Sequence, residues 1–134
     1  MKGPRGLDVR LADARSDVLI VLVHGFTASK DDNFFPALFD RFSGCAIVAL
    51  DLSAHGRSEG RFEEITFPQL EADIEAVIDA YAQDRKVVLV GHSMGGSLAY
   101  RIAARRDIAG LVLLAPGFGV RSTFLLKLRK HALE

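Results

Sequence analysis

Gly91-His92-Ser93-Met94-Gly95 sets a serine between two glycines. Before it runs Lys86-Val87-Val88-Leu89-Val90, apolar and rich in β-branched residues, as a buried strand requires. After it, Gly96-Ser97-Leu98-Ala99-Tyr100-Arg101-Ile102-Ala103-Ala104 follows a helical pattern. A serine at the apex of strand, sharp turn and helix is lifted above the sheet. It stands near a helix N-terminus, where free N–H groups and the dipole favour developing negative charge. The chemistry this suits is acyl transfer, with Ser93 as the attacking hydroxyl. Gly91 and Gly95 keep side chains out of a turn that must pass close to the neighbouring strand and helix. The plainer alternative is a helix start with a serine near its cap.

Acyl transfer also needs N–H donors for the oxyanion. Val18-Leu19-Ile20-Val21-Leu22-Val23 is an uninterrupted apolar run, read as a strand buried on both faces, and it ends in His24-Gly25-Phe26. Gly25 lets the following loop approach the serine. The expected donors are therefore the N–H groups of Phe26 and Met94. His24, at the end of a central strand, suits an orienting role rather than that of a general base. His92 adjoins the serine but is expected to point away from it at a sharp turn. Asp51 and His55 offer a stand-in acid and base, against a reading in which both only shape their loop. His131 is the histidine free to swing over the strand ends and is the candidate base. No residue is assigned as the catalytic acid.

These groups need a frame. Leu7-Asp8-Val9-Arg10-Leu11-Ala12 alternates as a half-exposed strand does. The strand at 18–23 follows, then a helix announced by Asp31, Asp32 and Asn33 as capping residues with Pro36 in its first turn. Phe34, Phe35, Leu38, Phe39 and Phe42 recur at helical spacing and are expected in the core. Cys45-Ala46-Ile47-Val48-Ala49-Leu50 is the next buried strand, with Cys45 as a small buried hydrophobe. Thr66-Phe67-Pro68-Gln69 reads as a capping box. It opens a helix with Leu70, Ile74, Val77, Ile78 and Tyr81 inward and Glu71, Asp73, Glu75 and Asp79 on a solvated face. The strand before Ser93, its helix to about Arg105 and a last strand at 110–115 complete the alternation. The tail from Arg121 to Glu134 reads as a helix capped by Ser122. Strands alternating with helices predict an α/β fold, a mostly parallel doubly wound sheet of about five strands with helices on both faces.

Three segments in this order carry a resemblance: His24-Gly25-Phe26-Thr27-Ala28-Ser29, Asp51-Leu52-Ser53-Ala54-His55-Gly56-Arg57-Ser58-Glu59-Gly60, and Gly91-His92-Ser93-Met94-Gly95-Gly96. Together they resemble the α/β-hydrolase superfamily, in which G-x-S-x-G forms the nucleophile elbow. Ser58-Glu59-Gly60-Arg61-Phe62-Glu63-Glu64-Ile65-Thr66 is similar to a loop of the cinnamoyl and feruloyl esterases, and serine-aminopeptidase-like and monoacylglycerol-lipase-like members share much of the pattern. The resemblance runs from residue 7 to 119. It implies strand 18–23 in the centre, 46–50 and 86–90 beside it, and 110–115 next to 86–90, with Asp51 and His55 in a loop beside the site. Family members are roughly twice as long, with acid and histidine on loops after later strands. The chain is therefore expected to be a truncated α/β-hydrolase fold in a single domain over 1–134. Residues 121–134 would be its C-terminal helix, where a cap segment starts in longer relatives. The function implied is that of a serine hydrolase acting on small carboxylic esters through an acyl-enzyme. The alternative is a non-catalytic scaffold, or a half-domain that needs a partner chain.

Composition narrows the classes. Lys plus Arg and Asp plus Glu both number 17, so no basic field recruits nucleic acid. The one cysteine and four scattered histidines make no metal constellation, and no cofactor motif occurs. No apolar run reaches membrane-spanning length, no signal peptide is seen, and a cytoplasmic location is expected. Strand 110–115 lacks its outer neighbour, so a homodimer through that edge, or coverage of it by the 122–133 helix, is expected.

Overall fold

The computed structural model describes residues 1–117. The apolar runs become strands whose side chains alternate between two cores. The elements are β1 (Val9–Asp13), β2 (Val18–Val23), α1 (Phe35–Arg41), β3 (Ala46–Leu50), α2 (Phe67–Tyr81), β4 (Lys86–His92), α3 (Met94–Ala103) and β5 (Gly110–Leu114). Single 3-10 turns sit at Pro4–Gly6 and Phe62–Glu64. The sheet order is β1-β3-β2-β4-β5: β2 is central between β3 and β4 with β5 at an edge, as the resemblance implies, and β1 adds antiparallel to β3 while the other pairs are parallel.

Register explains why chemistry gathers at one edge. Val23 lies opposite both Leu50 and Gly91, and His92 opposite Leu114. The chain therefore leaves β2, β3, β4 and β5 at nearly one level, and the loops after them meet. This is the carboxyl edge of a parallel sheet, where open α/β folds place their sites.

On one face, Leu19, Val21, Val23, Val48, Leu50, Val87 and Leu89 pack against Leu70, Ile74, Val77 and Ile78 of α2 and Leu98, Ala99 and Ile102 of α3. On the other, Leu22, Ile47 and Ala49 pack against Phe35 and Phe39 of α1. α1 is only seven residues long. β5 stays half-covered, with Val112 44% exposed.

Several expectations are corrected. Phe42 is 43% exposed and Phe34 is 37% exposed, so the aromatic stripe is only partly core. The helix ends at Arg41, and Phe42 leaves helical phase at φ −108°, ψ 12°, which turns its ring outward. The caps foreseen at Asp31, Asp32 and Asn33 are not used: Phe34 precedes the helix with no side-chain cap, and only the Asp32 carbonyl accepts from Phe35 N–H. Thr66 does cap α2, accepting from Gln69 N–H at 3.3 Å. Glu71 and Asp73 are buried rather than solvated. Glu71 pairs with Arg101 and Arg105, and Asp73 accepts from Arg5 at 3.1 Å and Ser53 N–H at 2.8 Å. Cys45 is half-buried and precedes β3 by one residue. The tail helix expected at 122–133 lies outside the described residues.

Phe39 is buried under the Arg10 guanidinium, 4.1 Å above its ring. Phe39→Ala should cost about 3–5 kcal/mol in urea denaturation, and Phe42→Ala within about 0.5 kcal/mol of the parent. Equal losses would mean that α1 packs in another phase.

Candidate active site at the strand ends

Ser93 has φ 53° and ψ −121°, a left-handed backbone that a residue with a side chain takes only when its surroundings impose it. The surroundings are visible. Ser93 N–H donates to the Leu114 carbonyl at 3.0 Å, and the Ser93 carbonyl accepts from the N–H groups of Gly96 (3.0 Å), Ser97 (3.2 Å) and Gly117 (3.0 Å). Glycine is required at both flanks. A side chain at Gly91 would run into the backbone of Gly95 and Gly96, and one at Gly95 into the Val23 and His24 carbonyls. Gly25 brings the loop after β2 against the serine: a Cβ there would lie 3.2 Å from Ser93 Cβ.

Two main-chain donors border this point. Met94 opens α3, so its N–H has no partner within the helix. Phe26 follows Gly25. Among the described residues neither N–H has an acceptor.

His24 is buried with both ring nitrogens engaged. Nε2 accepts from Leu52 N–H at 3.0 Å, which places the proton on Nδ1, and Nδ1 donates to the Gly25 carbonyl at 2.7 Å. Burial pushes its pKa down to about 4. His24 is thus a neutral strut between two loops, with no free nitrogen for a serine proton.

Asp51 and His55 do not pair. Asp51, fully buried, accepts from Lys30 N–H (2.7 Å), Lys30 Nζ (2.9 Å) and Arg57 N–H (2.9 Å). His55 Nδ1 donates to the Ser53 carbonyl at 2.9 Å, its ring rests 5.9 Å from Phe26 and 6.0 Å from Phe62, and its Nε2 is buried without a partner. His92 lies edge-on to Phe34 at 5.1 Å, with Nδ1 buried and unpartnered. Among the described residues no histidine is hydrogen-bonded to Ser93. His131 lies outside the described residues. The structure therefore brings together Ser93, Gly25, Phe26, Gly91, Met94 and Gly95.

Sequence reasoning missed Lys30. Its ammonium is buried and reaches Asp8 at 2.6 Å, Asp51 at 2.9 Å and Asp31 at 3.2 Å. Burial pulls its pKa down, but the hydrogen bonds to Asp8 and Asp51 outweigh this and hold it above the ordinary lysine value. The Lys30 bond in turn holds Asp8 below the usual carboxylate range. The only signal was a lysine beside two aspartates in the loop after Gly25.

Residues 20–133 match the alpha/beta hydrolase family. The chain belongs to that family. It is 34% identical over 120 residues to the dihydrolipoyllysine-residue acetyltransferase component of the acetoin cleaving system of Cupriavidus necator, covering 85% of this chain and 31% of that protein. It is 33% identical over 99 residues to protein phosphatase methylesterase 1 of Rattus norvegicus, covering 70% of this chain and 25% of that protein. Among solved structures it is similar to Est1E from Butyrivibrio proteoclasticus with ferulic acid bound. That match has TM-score 0.72 and 28% identity, over 82% of this chain and 49% of that one. A putative hydrolase from Agrobacterium vitis S4 superposes with TM-score 0.77 at 26% identity, over 94% and 54% of the two chains. The chain thus spans about a third or less of the curated relatives and about half of the solved α/β hydrolases it matches. No helix among its described residues is long and apolar enough to cross a membrane.

His24 sets a pH dependence for this hydrolase fold. Its pKa is about 4 folded and 6.5 in the free side chain, so in that window the unfolded chain binds the extra proton. Stability from this group is complete above pH 6.5 and falls as pH drops toward 4, by up to about 3 kcal/mol. Urea denaturation across that window should give this slope in the parent and a flatter one in His24→Gln.

Proposed function

We propose that the chain carries the nucleophile and oxyanion half of an ester hydrolase. The observation that carries this reading is the left-handed backbone of Ser93 at the start of α3, with Gly25 against its side chain. Strain of about 1–3 kcal/mol at one residue, over-determined by its neighbours, is characteristic of a functional position.

In the proposed reaction Ser93 Oγ attacks the carbonyl carbon of a small carboxylic ester. The carbonyl π pair moves to oxygen, and the oxyanion accepts from the Phe26 and Met94 N–H groups. Collapse re-forms the carbonyl and breaks the bond to the alcohol oxygen, which leaves with the serine's proton. Water then attacks the acyl-serine, and the same donors hold the second oxyanion before the acid departs. A histidine must carry the proton in both halves. His24 is excluded by its two hydrogen bonds, and His131 is the proposed base. An ester substrate agrees with the names of the relatives: one is a methylesterase, and one solved structure holds ferulic acid. A cytoplasmic location remains part of the proposal.

A second reading follows from β5, whose Val112 is exposed at the sheet edge. There the chain is a scaffold completed by a second copy that adds its own edge strand. Light scattering should then return a dimer, with slow amide exchange at 111–114. A monomer with freely exchanging amides there removes this reading.

Without a complete triad, acyl-transfer sites retain roughly 10³–10⁴-fold catalysis over water. The chain should therefore hydrolyse p-nitrophenyl acetate weakly and react with a fluorophosphonate at Ser93. Ser93→Ala should abolish both, while His55→Ala should leave them largely intact. If His131 is the base, His131→Ala should lower both rates. Hydrolysis unchanged in Ser93→Ala would reject the serine mechanism.

A further inference from the structure

The loop that brings Phe26 to the serine is short, and Thr27 within it has φ 62°, a conformation it would not hold unaided. It is pinned at both ends, each time to the pair of residues leaving β3. At its start His24 Nε2 accepts from Leu52 N–H at 3.0 Å. At its end Asp51 takes Lys30 N–H on one carboxylate oxygen at 2.7 Å and Lys30 Nζ on the other at 2.9 Å. Phe26 lies between the pins.

Asp51 is itself immobile. Arg57 N–H donates to it at 2.9 Å, and Gly56 lies so close that a side chain there would overlap the carboxylate. On its other side the Lys30 ammonium reaches Asp8 at 2.6 Å, just before β1. The pair is buried, with Lys30 side chain 4% and Asp51 side chain 0% exposed. Buried ion pairs are poor stabilisers compared with apolar side chains of the same volume. What this pair does that an apolar pair could not is fix a loop in two directions at once, through one backbone and one side-chain donor.

We infer that Lys30 and Asp51 are positioning residues, a clamp that holds the loop after β2 at the height where the Phe26 N–H faces the Ser93 oxyanion. The inference rests on the reading of Ser93 as nucleophile, but its first measurement does not. Two amides outside the clamp report on the loop: Ala28 within it, which donates to the Gly25 carbonyl at 3.2 Å, and Leu52 after β3, which donates to His24 at the loop's start.

The experiment compares the parent with Lys30→Met, Asp51→Asn and Lys30→Arg in the full chain. Hydrogen exchange is followed at Ala28 and Leu52, with Leu22 and Val90 as strand references, and a fluorophosphonate reports the reactivity of Ser93. The clamp predicts at least tenfold faster exchange at Ala28 and Leu52 in Lys30→Met, with the strand amides unchanged. It predicts a drop of tenfold or more in the labelling rate, and recovery of most of both in Lys30→Arg. Asp51→Asn keeps one acceptor oxygen for the Lys30 N–H but removes the charge and turns an amide donor toward Lys30 Nζ and Arg57 N–H. It should fall between, and it takes over the test if Lys30→Met does not fold. Loop amides that exchange at the parent rate overturn the clamp. Faster loop exchange with unchanged labelling overturns its positioning role. A parent that does not label counts against Ser93 as nucleophile, and the exchange arm still decides the clamp.

Discussion

The left-handed backbone of Ser93 is the constraint around which the rest of the strand-end structure is arranged. Such a conformation costs about 1–3 kcal/mol and survives only when several independent contacts forbid relaxation. Here they come from three directions. β5 supplies the Leu114 carbonyl, the first turn of α3 supplies the Gly96 and Ser97 N–H groups, and the chain beyond β5 supplies Gly117 N–H. Relaxing Ser93 would break all of them together. It would also require moving Gly95 away from the end of β2, where backbone lies against backbone with no space for a side chain. Sheet register makes this possible, because Val23 stands level with Gly91.

Charge does at the neighbouring loops what glycine does at the elbow. Lys30, Asp8 and Asp51 tie the segments after β2, before β1 and after β3 to one ammonium. Arg5 and Asp73 tie the N-terminal turn to α2, and Ser53 N–H joins them through the same carboxylate. Asp51 and Asp73 each also accept a backbone N–H, so each fixes a loop as well as a charge. Unpaired, such groups would be expensive; paired and fully hydrogen-bonded, they specify one arrangement of loops that carry no regular structure of their own.

What could be read in advance divides along the same line. The strands and the elbow were legible because their signals are local: apolar runs of strand length, glycines at fixed offsets from a serine, Thr66 three residues before Gln69. The order of the strands came only from the family resemblance. The outward turn of Phe42 was not, because it depends on a helix ending one residue sooner than the aromatic spacing suggests. The burial of Glu71 and Asp73 was not, because their partners Arg101, Arg105 and Arg5 are distant in sequence and the pairing exists only once α3 and the N-terminal turn pack on α2. Lys30 was missed for the same reason: its partners Asp8 and Asp51 lie far from it in sequence. For the candidate site, then, the turn and the approaching loop could be recognised, and the charges that hold that loop could not.

This has a consequence for what the site asks of its residues. On the proposed reading both oxyanion donors are main-chain N–H groups. The side chains of Phe26 and Met94 therefore shape the walls but do not supply the bonds. The identities that matter lie one step away: Gly25, Gly91 and Gly95, whose lack of a side chain lets three backbones meet, and His24, Lys30 and Asp51, which aim one of them. A donor that belongs to the backbone can be misplaced but not deleted by substitution. The route to losing it runs through the residues that hold the loop, so the demand for precision falls on the buried polar groups around His24 and Asp51 rather than on the residues nearest the reacting carbonyl.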